Sequence, residues 1–74
     1  MDKMDKDVIG IWSGIVWRAL NERGKLSIEE LKQVTNLESE CIYAAIGWLA
    51  REGNISLDNG SKGLLLYIYH ERYY

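Results

Sequence analysis

The spacing of apolar residues changes at Gly53, and that change constrains this chain more than any other feature of its sequence. Before Gly53 the apolar positions recur at helical intervals; after it, Asn54-Ile55-Ser56-Leu57-Asp58 alternates polar and apolar. A period of 3.6 followed by a period of 2 means helices first and strands last. With 74 residues there is room for one domain.

Three helical stretches precede the change. From Asp7, which suits a cap or a dipole partner, the residues Val8, Trp12, Ile15, Val16 and Ala19 fall on one side, flanked by Ile9, Ile11 and Leu20. Gly24 ends this helix, because glycine accepts the positive φ of a C-cap. Lys25-Leu26 is a link or a small edge strand. Ser27-Ile28-Glu29-Glu30 reads as a capping box, in which the serine hydroxyl and the glutamate carboxylate satisfy each other's backbone amides. It opens a short helix over 28–35, with Ile28, Leu31 and Val34 or Thr35 on one face and Asn36-Leu37 as the turn. A third helix starts near Glu38 or Ser39 and buries Ile42, Ala45, Ile46 and Leu49, and Gly53 closes it. Two short helices joined by a tight turn make a helix-turn-helix unit.

The strands form a hairpin. Asn59-Gly60 suits a two-residue type I′ turn, which sets Ile55 opposite Leu64 and Leu57 opposite Lys62. Leu64, Leu66 and Ile68 then share the core face with Ile55, while Leu65, Tyr67 and Tyr69 point outward. A longer loop through Ser61-Lys62-Gly63 reverses that assignment. The expected architecture is α+β: a winged helix-turn-helix domain over 7–70, three helices followed by a C-terminal β-hairpin wing. Residues 1–6 and 71–74 are read as tails, the first as frayed.

The chain resembles a family of small stand-alone winged helix-turn-helix proteins of bacteria and archaea. The resemblance is carried by Gly14-Ile15-Val16-Trp17-Arg18-Ala19-Leu20, by Leu26-Ser27-Ile28-Glu29-Glu30-Leu31 and above all by Ala45-Ile46-Gly47-Trp48-Leu49-Ala50-Arg51-Glu52-Gly53-Asn54-Ile55. It covers roughly residues 7–70. It implies the fold and a grouping with DNA-binding winged helices, and fold alone does not assign function.

Composition narrows the partners. Nine basic against eleven acidic side chains give a net charge of −2, whereas nucleic-acid modules tend to a pI above about 9. One cysteine, Cys41, and one histidine, His70, cannot supply an internal disulfide or a Cys₄ or Cys₂His₂ zinc site, and Cys41 reads as a small hydrophobe. The start of the chain lacks the apolar run of a signal peptide, and no run approaches the roughly 20 residues of a membrane span. A cytoplasmic, non-enzymatic protein is expected, with no cofactor, metal, membrane or small-molecule substrate. Gly60-Ser61-Lys62-Gly63 lacks the strand–loop–helix setting of a phosphate loop.

Two functions remain. In a winged helix the third helix enters the major groove and the wing meets the backbone or minor groove. The exposed side of that helix carries Glu40, Tyr43, Ala44, Gly47 and Arg51, with Trp48 at its flank. The DNA-contact candidates are therefore Lys32, Tyr43, Arg51 and Lys62, a sparse set for double-stranded DNA. A dimer is expected on the DNA-binding reading; the alternative is a homodimerising protein-interaction module, or one that meets another protein, without DNA binding. Its candidates are Trp17, Trp48, Leu65, Tyr67 and Tyr69, since Trp and Tyr are favoured anchors of protein contacts. Folding of these aromatics over the core edge is the competing explanation.

Overall fold

The computed structural model describes residues 5–60 and 63–68. Its elements run α1 (Lys6–Arg23), β1 (Leu26–Ser27), α2 (Ile28–Thr35), α3 (Ser39–Arg51), β2 (Ile55–Gly60) and β3 (Gly63–Ile68). This is the expected winged helix-turn-helix order. The sheet is antiparallel with order β1-β3-β2, so the last strand lies in the middle.

Every helix end has a local reason except the start of α3, where Glu38 makes no side-chain capping bond. The Asp5 side chain accepts from the Val8 amide at 3.0 Å, so Asp5 is the cap of α1 and Asp7 sits in the first turn. That moves the helix start ahead of Asp7 and brings Asp5 and Lys6 into ordered structure. Gly24, at φ 89°, ends α1. The capping box of α2 is complete: Glu30 N–H donates to Ser27 Oγ at 3.1 Å, and Ser27 N–H donates to Glu30 Oε1 at 2.8 Å. Asn36 takes a left-handed conformation after α2 and returns its N–H to the Lys32 carbonyl. After α3, Gly53 N–H donates to Ala50 O and Asn54 N–H to Leu49 O, the paired bonds of a Schellman motif. Gly53 supplies the required positive φ.

The core joins one face of every helix to the inner face of the sheet. Val16, Ala19 and Leu20 come from α1, Leu31 from α2, Ile42, Ala45, Ile46 and Leu49 from α3, and Leu26, Ile55 and Leu66 from the strands. Trp12, Ile28, Leu37 and Ile68 pack against its margin. The four-residue stripe expected for α3 is buried throughout. In α1 the buried face is rotated from the expected one. Ser13 replaces Ile15 in the interior, and Ile11 and Ile15 lie exposed. Apolar residues occur nearly all round this helix, so their periodicity does not single out one face, and packing on α3 decides.

The hairpin register also differs from expectation. Ile55 pairs with Ile68, Leu57 with Leu66, Asn59 with Leu64 and Gly60 with Gly63. Asn59 and Gly60 thus belong to β2, and neither has the positive φ of a type I′ turn. The observed pairing sets Leu57 against a leucine rather than against Lys62. It slides each partner by four residues, an even step that keeps every side chain on its face. Leu66 and Ile68 accordingly stay on the core side and Leu65 and Tyr67 on the other, as expected.

Ser13 Oγ is buried and has no hydrogen-bond partner among the described residues. An unsatisfied buried hydroxyl costs about 1–3 kcal/mol, and alanine is the better helix former. Ser13→Ala therefore raises the urea midpoint, by about 1 kcal/mol of stability; a lower midpoint would mean that the hydroxyl has a partner. Truncating the fully buried Leu66 to alanine costs about 2–5 kcal/mol. Its cross-strand neighbour Leu57 is half-exposed, and the same truncation there costs less than about 1 kcal/mol by the same denaturation assay.

Candidate nucleic-acid interface

The outer face of α3 is held rigidly by its inner one. Ile42, Ala45, Ile46 and Leu49 are buried, which turns Glu40, Tyr43, Gly47, Ala50 and Arg51 to solvent. Tyr43 is 57% exposed, and Arg51 is exposed in the last turn. Ala44 and Trp48 flank this face and are half-buried. The result is a smooth surface with a phenol near one end and a guanidinium at the other. Glu40 opposes any anionic ligand at the N-terminal end.

Packing adds a cation that the sequence pattern did not indicate. Lys6, Trp48, Arg51 and Glu52 line one shallow cleft, because α1 begins beside the place where α3 ends. Lys6 lies in the stretch whose sequence reads as a tail, and nothing local to it or to Arg51 signals their proximity. Lys32, by contrast, stands half-buried in the last turn of α2. Lys62 and Tyr69 lie outside the described residues, as do His70 and the C-terminal Tyr73 and Tyr74.

The expected aromatic surface is less open than the alternation suggested. Trp17 is exposed, but Trp48, Leu65 and Tyr67 are half-buried. Tyr67 is covered by Lys25, whose ammonium lies 5.0 Å from the ring centroid. The same ammonium reaches Asp58 Oδ2 at 3.2 Å, so it spans β3 from the β1 side to β2. Both partners are about half exposed, and such a pair contributes at most about 1 kcal/mol. It fixes Tyr67 more than it strengthens the domain.

Cys41 is a half-buried free thiol on α3. Among the described residues no group of three His, Cys, Asp or Glu side chains is placed to hold a metal ion, and no helix is long and apolar enough to cross a membrane.

Comparison with known proteins places this geometry in context. The solution NMR structure of protein BT2368 from Bacteroides thetaiotaomicron matches with a TM-score of 0.81 and 33% identity, covering 96% of this chain and 100% of that one. BpsR of Bordetella bronchiseptica, a protein whose DNA binding is regulated by 6-hydroxynicotinic acid, matches with a TM-score of 0.78. There the identity is 14%, over 89% of this chain and 49% of BpsR, a likeness of fold. No curated protein gives a significant match. The model of the winged helix-turn-helix domain family DUF2582 matches residues 4–68, and the chain belongs to that family.

Proposed function

We propose that this chain is a double-stranded-DNA-binding, regulator-like protein with no catalytic step of its own. The observation that carries the reading is the outer face of α3, the second helix of the helix-turn-helix, held rigid by a wholly aliphatic inner face. In this fold that helix is the one that enters the major groove. The bare Gly47 and Ala44 let the groove wall come close, and Tyr43 and Arg51 are the side chains able to reach it. Lys6 shares the cleft beside Arg51 and adds a second phosphate-directed cation. Lys32 and Lys62 complete the proposed contact set from α2 and from the hairpin sequence. The DNA binding named for BpsR supports the reading at the level of fold.

So few cations imply modest affinity and weak sequence discrimination. Each phosphate neutralised contributes about 0.9 to the slope of log affinity on log salt. Fluorescence anisotropy on a labelled mixed-sequence duplex, at about 50 and then 200 mM salt, reads that slope directly. Arg51→Ala lowers the affinity and reduces the slope by about 0.9, and Lys6→Ala does the same independently. Asn21→Ala, on the exposed side of α1, leaves both unchanged. Absence of binding even at the lower salt contradicts the proposal.

A further inference from the structure

The side of α1 turned away from the core carries a pattern that the DNA reading does not use. Asp7, Ile11, Gly14 and Arg18 are all exposed and recur at intervals of four, three and four, a straight seam along the helix. Ile11 is 62% exposed, the most open of the large apolar side chains among the described residues. Ile15 and Trp17 border the seam, and Val34 of α2 lies across a groove from Ile15. A solvated helix face has no need of an isoleucine at its centre or of a glycine that costs about 1 kcal/mol of helix stability against alanine.

We infer that this face docks a second copy of the chain, with the two α1 helices antiparallel about a two-fold axis. The seam is complementary to its own reverse. Run against itself, it sets Asp7 opposite Arg18 of the second copy, Ile11 opposite its Gly14, and then the same pairs in mirrored order. Two ion pairs close the ends, and two isoleucines enter the gaps left by two glycines. A twofold contact of this kind is closed and self-limiting. The bare backbone at Gly14 lets the axes approach more closely than the usual 8–10 Å. Antiparallel packing also sets the two helix dipoles in opposition. Parallel packing would instead set Asp7 against Asp7 and Arg18 against Arg18. A domain this small gains most from such a partner, because its own core is limited. Association of this kind requires no DNA.

Sedimentation equilibrium across a hundredfold concentration range reads the result. The wild-type chain reaches twice the 8.6 kDa mass of one copy. Gly14→Leu is the discriminating variant, because a Cβ at this position meets nothing within 4 Å in the single chain. It weakens the dimer at least tenfold while the thermal stability of the dissociated chain holds or rises; an unspecific apolar contact would be strengthened by the added leucine. Asp7→Arg and Arg18→Asp each weaken association, and the double variant recovers most of the loss. A chain that stays single at every concentration overturns the inference. So does a dimer indifferent to Gly14→Leu, or a double charge swap without recovery.

Discussion

The burial of Leu66 between its two neighbouring strands joins the wing to the helices. This leucine is fully buried in the middle strand, opposite Leu26 of β1 on one side and Leu57 of β2 on the other. Through Leu26 it ties β3 to the two-residue strand between α1 and α2. Ser27, the other residue of that strand, is also the N-cap of α2. Sheet and helix-turn-helix therefore meet with no linker between them, and the direction of α2 follows from the pairing of β1 with β3. The hairpin is an extension of the core rather than an appendage to it.

The helix ends turn that anchoring into a presented surface. Gly24, Asn36 and Gly53 each take a positive φ just past a helix, and each returns backbone amides to the last carbonyls. Little freedom remains at the corners, so burial of one side of α3 determines where its other side points. The candidate interface is thus a by-product of aliphatic packing. Its chemistry is thin: Tyr43, Arg51 and the neighbouring Lys6 on a largely bare helix. Under the proposed DNA-binding role, a surface so equipped would rely on backbone contacts and shape more than on direct reading of bases.

Features written in adjacent residues were legible from the sequence. The capping box of Ser27 and Glu30, the stripe of α3 and the turn at Gly53 all depend on neighbours within a few positions, and all stand as expected. The buried side of α1 was not legible, because Ile11, Trp12, Ile15 and Val16 offer competing faces and only contact with α3 selects among them. The hairpin misled for a related reason. Asn59-Gly60 has strong local turn chemistry, yet apolar pairing of Leu57 with Leu66 and Ile55 with Ile68 overrides it. Two further features arise only from folding: the cleft shared by Lys6 and Arg51, and the reach of Lys25 across Tyr67 to Asp58. Neither leaves a trace in spacing or composition.

One leucine, held between two strands, sets the register of the wing. Cross-strand NOEs in the NMR spectrum of the whole chain test it most directly. The expected contacts run from Leu66 to both Leu26 and Leu57, together with Ile55 to Ile68. Contacts from Ile55 to Leu64 and none between Leu57 and Leu66 would place the turn at Asn59-Gly60 and contradict this register.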